Sequence, residues 1–113
     1  MARKWTKEEV EHREFVRSLG CLVSGERDPT VHHVTGYADR IGRIPANNRW
    51  LVPLAKQYHQ KVWDPCARDP ISVEGLSHRG FYEKYGIDLF AEALRLEEIS
   101  MNEGRLSRRS EAA

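Results

Sequence analysis

The sequence predicts a single α+β domain, and three observations lead to this prediction. The chain has 113 residues, enough for one domain with one modest hydrophobic core. A helical pattern with its own capping residue lies near each end of the chain. Between these patterns, short apolar runs alternate with glycine, proline and asparagine, as expected of strands that are separated by turns. Helices that flank a central group of strands indicate an α+β fold.

The first helix is predicted over residues 6–19. Thr6 and Glu9 have the spacing of a capping box, in which each side chain binds the other residue's backbone N–H. Gly20 follows at the position where a helix commonly ends. His12, on this helix, is expected to face solvent. The apolar stripe consists of Val10, Phe15, Val16 and Leu19.

The strands are predicted in the middle of the chain. "CLVSG" and "TVHHV" are expected to pair as a hairpin, because a Gly/Asp/Pro turn separates them. The segment "TGYADRIGRIPANN" is predicted to be a long loop. "RWLVPL" reads as a short strand. Pro53, near its end, is expected to begin a helix that continues through "LAKQYHQKVW".

The C-terminal part is predicted to be helical after an irregular insert. "DPCARDPISVEG" contains two Asp-Pro steps that interrupt a helix. One helix is expected from His78 to Gly86, and a second, capped by Asp88, through "LFAEALRLEEISMN". We therefore expect one domain over residues 1–103 and a polar, basic, poorly ordered tail over residues 104–113.

Composition excludes several classes of protein. Hydrophobic residues make up 40% and charged residues 31% of the chain, as in ordinary globular domains. No run approaches the roughly 18 apolar residues of a membrane span, so no membrane association is expected. Two cysteines, Cys21 and Cys66, form no disulfide framework, which favours a reducing, cytoplasmic environment. The net charge of +1 does not by itself indicate nucleic-acid binding.

Three of the five histidines, His32, His33 and His59, lie within one strand–loop–strand–helix unit. Neighbouring strand residues point to opposite faces, but His32 and His33 can serve one site if the strand ends near Thr35. One of them could then bind a divalent metal ion with His59, and the other could act as a general base. Phosphodiester hydrolysis uses this division of labour. The simpler alternative is that the histidine pair is a surface or hydrogen-bonded feature.

The motifs that surround these histidines resemble the HNH (His-Me finger) nucleases, in particular their phage and bacterial Ref-like branch. The resemblance covers roughly residues 12–97 and implies a small ββα-metal core with flanking N- and C-terminal helices. It also implies metal-dependent DNA cleavage in the cytoplasm, by a bacterial protein or by a phage protein in its host. The matching segments are "VRSLGCLVSG", "VHHVTG", "IGRIP", "NNRWLVPLAKQYHQ" and "GFYEKYGIDLFAEAL".

The resemblance assigns roles to individual residues. His32 and His59 correspond to ligands of one divalent ion (Mg²⁺, Mn²⁺, Ni²⁺ or Zn²⁺), and His33 corresponds to the general base. Asn48 lies nearest to the position of a residue that orients the base. Three arginines are candidate phosphate contacts, with solvated surface charge as the alternative: Arg40, Arg43 and Arg49.

Three features depart from the family pattern. The family's two Cys-x-x-Cys pairs read here Cys21-x-x-Ser24 and Ala55-x-x-Tyr58, so no structural zinc is expected. The position four residues after His59 is Trp63, which cannot bind a metal. The ligand set could instead be completed by Glu74 or by His78. The third departure is Trp50, an apolar residue at a position that is asparagine in typical members.

Three hypotheses follow from the sequence. The first is a metal-dependent DNA endonuclease, which retention of His32, His33 and His59 as a set favours. The second is a catalytically inactive HNH-derived module that binds DNA or a host protein, which loss of the zinc cysteines favours. The third is an unrelated small domain with accidental histidines. Metal titration distinguishes the first from the others, and salt-dependent DNA binding without cleavage would support the second.

Overall fold

The computed structural model describes residues 4–34, 36–38, 42–44, 47–65 and 68–108. These residues form an α+β fold with four α-helices, a 3₁₀ turn and two separate two-stranded antiparallel sheets. The helices are α1 (Lys7–Ser18), α2 (Lys56–His59), α3 (Val73–Tyr85) and α4 (Leu89–Asn102), and the 3₁₀ turn covers Lys61–Trp63. The strands are β1 (Thr30–His33), β2 (Gly36–Ala38), β3 (Gly42–Ile44) and β4 (Leu51–Leu54).

The central sheet pairs β1 with β4, not with the segment that precedes β1. His32 lies opposite Val52 and His33 opposite Leu51. The predicted hairpin between "CLVSG" and "TVHHV" is therefore wrong. Cys21 instead begins a tight turn, closed by the hydrogen bond from the Gly25 N–H to the Cys21 carbonyl at 2.8 Å. A single bond from the Leu22 N–H to the Pro53 carbonyl, at 3.0 Å, attaches this turn to β4.

The segment between β1 and β4 is not wholly a loop. β2 and β3 pair as a short antiparallel hairpin, with Gly36 opposite Ile44. The glycine and proline content of the segment hid these strands, which are only three residues long. The predicted helix start at Pro53 is also wrong, because Pro53 lies in β4 opposite Val31. The helix begins three residues later, at Lys56.

The helix termini follow local capping chemistry. The predicted capping box of α1 is confirmed: Thr6 accepts from the Glu9 N–H, and Glu9 accepts from the Thr6 N–H. Gly86 ends α3 in the left-handed region, with φ of +71°. The Asp88 side chain caps α4 by accepting from the Ala91 N–H, as predicted.

Helix α3 is longer than the sequence indicated. Its first turn starts at Val73, where the Ser72 side chain caps it, and includes residues that we had placed in the irregular insert. The backbone is kinked at Ser77, whose φ is +68°. His78 follows the kink directly, so the regular segment after it matches the predicted helix from His78 to Gly86.

The hydrophobic core lies on both sides of β4, whose four residues are all buried. One cluster joins β4 to the Cys21 turn, α3 and α4, and Phe81 is its largest member with no exposed surface. A second cluster contains Val16, Leu51 and Leu96 from α1, β4 and α4. Burying each large apolar side chain contributes about 1.5–3 kcal/mol, so these contacts fix the elements around β4.

The first part of the predicted tail is packed against the domain. Leu106 is buried, and the Ser107 N–H donates to Glu8 of α1 at 3.1 Å. Residues 109–113 lie outside the described part of the chain. None of the helices within the described residues is long and apolar enough to cross a membrane.

Candidate functional site

Three histidines from three elements meet beside β1 of the central sheet. His32 lies on β1, His59 ends α2 and His78 follows the kink in α3. The ring centre of His32 is 5.0 Å from that of His59 and 5.2 Å from that of His78. The Nε2 atoms of His32 and His78 are 2.9 Å apart and share a hydrogen bond. We refer to His32, His59 and His78 as the imidazole cluster.

The hydroxyl group of Thr30 fixes the orientation of His59. Thr30 Oγ1 is 2.6 Å from the Leu54 carbonyl oxygen and 2.8 Å from Nδ1 of His59. The carbonyl can only accept, so the single hydroxyl proton is donated to Leu54. Thr30 must then accept a hydrogen bond from Nδ1–H of His59. This tautomer leaves the lone pair of His59 on Nε2, as in metal-binding histidines whose other ring nitrogen donates a hydrogen bond to a neighbouring group.

Burial keeps the imidazole cluster neutral. Burial, together with the nearby imidazoles of His59, His78 and His33, lowers the pKa of His32 to about 3. Burial also lowers the pKa of His59, against the opposing effect of the Glu74 carboxylate, and that of His78, against Asp88. Neutral imidazole is the form that binds metal ions.

The imidazole cluster has the right donor chemistry for a transition-metal ion, but it is not preassembled. Among the described residues, no group of three or more His, Cys, Asp or Glu side chains is arranged to hold a metal ion. At 2.9 Å, one of the two Nε2 atoms of His32 and His78 must carry the proton of their hydrogen bond. That bond has to open before both nitrogens can offer a lone pair to one ion.

His33 has a different set of neighbours. Its Nε2 lies 2.9 Å from Oδ1 of Asn48, which is buried, and its ring packs against Trp5 with centres 5.6 Å apart. An amide oxygen only accepts, so His33 donates from Nε2 and its lone pair lies on Nδ1. His33 also contributes to the lowered pKa of His59, which places it within electrostatic reach of the imidazole cluster.

The turn that carries Asn48 is held by the side chain of Asn47 and by a backbone hydrogen bond to the end of β1. Oδ1 of Asn47 accepts from the N–H groups of Arg49 and Trp50, each at 2.9 Å. The N–H of Val34, just after β1, donates to the Trp50 carbonyl at 2.9 Å. These bonds place Asn48 beside the end of β1, where His33 lies.

Buried polar groups connect the same turn to α1 and α4. Glu97, which is 1% exposed, accepts from Nε of Arg49 at 2.6 Å and from the indole N–H of Trp50 at 3.2 Å. His12 donates from Nε2 to the Arg49 carbonyl at 2.9 Å, and its Nδ1 accepts from the Ser100 hydroxyl at 2.6 Å. The prediction that His12 faces solvent is therefore wrong, because the ring is fully buried.

The other residues predicted to belong to the site are one carboxylate, Glu74, and three arginines. Glu74 is exposed and its Oε1 accepts from the Lys61 N–H at 2.9 Å. Its carboxylate acts electrostatically on His59, whereas His78 contacts His32 directly. Arg49 belongs to the internal ion pair with Glu97. Arg40 lies outside the described residues, and so does the side chain of Arg43.

Of the four residues that the resemblance compares with zinc cysteines, Ser24 is exposed and the other three pack together. Cys21 and Ala55 are buried members of one core cluster, and Tyr58 packs against that cluster. Backbone N–H groups, including that of Ala55, lower the pKa of the Cys21 thiol even though burial acts in the opposite direction. Cys66 lies outside the described residues.

Two residues of the site had no signal in the sequence that pointed to a role there. Thr30 was read as part of a strand, and only the fold brings its hydroxyl group to His59. Glu9 was identified for its capping box, but its contact with Asn48 is made across 39 residues of sequence, with Nδ2 and Oε1 3.3 Å apart.

The chain was compared with protein-family models, with curated proteins and with solved structures. No family model, no curated protein and no solved structure matches it.

Proposed function

We propose that this protein is a metal-dependent DNA endonuclease of the HNH type, which hydrolyses phosphodiester bonds. The fold supports this proposal through the antiparallel pair of β1 and β4 followed directly by α2, the order of elements that a ββα-metal core requires. In the proposed site, His33 is the general base. His32 and His59 hold one divalent ion, together with His78.

One observation carries the proposal: the adjacent histidines His32 and His33 have different hydrogen-bond partners. Oδ1 of Asn48 accepts a hydrogen bond from Nε2–H of His33, which leaves Nδ1 of His33 as a proton acceptor. His32 instead faces His59 and His78, within the imidazole cluster. A pair of surface histidines would have no reason to be divided between an orienting amide and two further imidazoles.

The chemistry follows from this division. His33 takes a proton onto Nδ1 from the water that attacks the phosphorus atom. The new phosphorus–oxygen bond forms while the bond to the leaving oxygen breaks. A bound divalent ion supplies the charge that stabilises the phosphate and the leaving oxygen. Asn48 holds the imidazolium that results, because its amide oxygen still accepts from Nε2–H.

The experiment that tests the proposal combines metal binding with cleavage. Mn²⁺, Ni²⁺ and Zn²⁺ are titrated calorimetrically into the metal-free protein and into His59→Ala, and plasmid nicking is then measured with each ion. We expect stoichiometric binding that His59→Ala abolishes, and nicking that His33→Ala abolishes while metal binding persists. Absence of binding by all three ions would contradict the endonuclease proposal.

A second candidate function is a non-catalytic module, derived from the same fold, that binds DNA or a host protein. The hydrogen bond between His32 and His78 favours it, because this bond gives Nε2 of each ring a partner without an ion. The same titration separates the candidates. DNA binding that weakens with salt, without metal uptake or nicking, is the result that the second candidate predicts.

A further inference from the structure

Glu9 lies at the start of α1, where its carboxylate contacts both the helix terminus and Asn48. Oε1 accepts from the Thr6 N–H at 2.9 Å, which completes the capping box. The same oxygen lies 3.3 Å from Nδ2 of Asn48. The carboxylate therefore connects the N-terminus of α1 to the amide group that contacts His33.

The polarity of these hydrogen bonds determines the state of His33. An ionised carboxylate can only accept, so the face of the Asn48 amide that meets Glu9 must be the NH₂ group. The amide is planar, and its oxygen then points to the other side, toward Nε2 of His33. An oxygen at that position requires a proton on Nε2, which leaves Nδ1 unprotonated in the neutral ring.

We propose that Glu9 is a positioning residue that selects the tautomer of His33 through the side-chain amide of Asn48. The inference rests on the proposed function for its catalytic meaning, because Nδ1 is the atom that would take the proton from water. Its structural content is independent of that function, since a tautomer exists whether or not the protein cleaves DNA.

The neighbouring residues restrict both the Asn48 amide and the ring of His33. Asn48 is 6% exposed, so its amide has no ready exchange with bulk solvent. The ring of Trp5 packs on His33, and the guanidinium of Arg13 lies 4.7 Å from the Trp5 ring centre. With the ring of His33 held in place, the amide orientation is the variable that Glu9 controls.

The test is the tautomer of His33, read from the two-bond ¹⁵N–¹H correlations of the imidazole rings at about pH 8 without metal. His33→Ala assigns the signals. In the unaltered protein we expect the Nε2–H tautomer. Glu9→Lys replaces an acceptor with a donor, so the Asn48 oxygen should turn toward Lys and its NH₂ group toward His33. We then expect the Nδ1–H tautomer to become the major form.

Two matched variants separate this effect from changes in charge and helix capping. Glu11→Lys makes the same charge reversal on an exposed residue of α1, and Thr6→Ala weakens the same helix terminus. Both should keep the Nε2–H tautomer. The proposal is overturned if Glu9→Lys and Glu11→Lys give the same tautomer populations.

A further variant serves if Glu9→Lys does not fold. Glu9→Ala keeps a strong helix former and removes the carboxylate that accepts from Asn48 and from the Thr6 N–H. We expect the side-chain NH₂ signals of Asn48 to shift upfield in Glu9→Ala and to stay in place in Glu11→Ala. Unchanged Asn48 signals in Glu9→Ala would overturn the proposal. If the tautomer reverses as expected but the unaltered protein nicks no plasmid, the proposed function fails and the positioning role stands.

Discussion

Acidification should destabilise this protein through His12, a histidine that takes no part in the proposed chemistry. The ring is fully buried, and both of its nitrogens are hydrogen-bonded, to the Arg49 carbonyl and to the Ser100 hydroxyl. Burial lowers its pKa from the ordinary value, and the charges of Arg49 and Arg105 act in the same direction. The backbone bond to Arg49 and the carboxylate of Glu97 oppose this shift without reversing it.

The sign and size of the effect follow from proton uptake. Below pH 6.5 the unfolded chain binds a proton at His12 that the native ring resists, so stability present above pH 6.5 is lost as the pH falls. If a histidine stays fully neutral in the native state, the free energy of unfolding falls by about 1.4 kcal/mol between pH 7.5 and 5.5. Burial lowers the pKa of His32, His59 and His78 as well, and their losses have the same sign.

Urea unfolding followed by far-ultraviolet circular dichroism, at pH 7.5 and 5.5 and constant ionic strength, measures this loss. The comparison is with His12→Gln, whose amide can donate to the Arg49 carbonyl from the place of Nε2 but cannot titrate. We expect the unaltered protein to lose more stability than His12→Gln over this interval, by up to about 1.4 kcal/mol. Equal losses in the two proteins would refute the reasoning, because His12 would then titrate alike in the folded and unfolded states.

Three further predictions concern single contacts. Glu97→Ala should lower the free energy of unfolding, measured in urea, by about 3–5 kcal/mol, because it removes the carboxylate paired with the partly buried guanidinium of Arg49. Glu92→Ala, which breaks the surface ion pair with Arg95, should cost at most about 1 kcal/mol in the same assay. Gly86→Val should destabilise the protein by more than 1 kcal/mol and Gly86→Asn by less, since φ is +71° there, and thermal unfolding measures both. Thr30→Val should weaken metal binding about 10–100-fold by calorimetry, because it frees the ring of His59, while Thr30→Ser keeps the hydroxyl group and the affinity.

Local signals in the sequence predicted local structure correctly. The capping box of Thr6 and Glu9, the cap at Asp88 and the end of α3 at Gly86 all depend on residues within one turn of each other. The predicted strand after Arg49 also exists as β4. Short-range hydrogen bonding determines these features, so the sequence alone contains the information.

Long-range pairing was the part that the sequence could not supply. β1 was paired with the preceding segment because that segment is near in the chain, whereas its actual partner, β4, lies beyond a hairpin. His12 was placed in solvent because its partners, Arg49 and Ser100, lie 37 and 88 residues away. The proximity of His32 and His59 was expected from the order of elements, and their roles stay predictions.

The hydrogen bond from the Val34 N–H to the Trp50 carbonyl also bears on how this chain could be altered. It joins Val34 to Trp50, close to the two ends of the connection between β1 and β4. Doubling the length of such a loop costs only about 0.6 kcal/mol in closure entropy. Segment 35–46, which contains Arg40 and Arg43, can therefore be exchanged or extended as a cassette. A graft that keeps residues 47–50 would replace Arg40 and Arg43 and retain Asn48, the hydrogen-bond partner of His33.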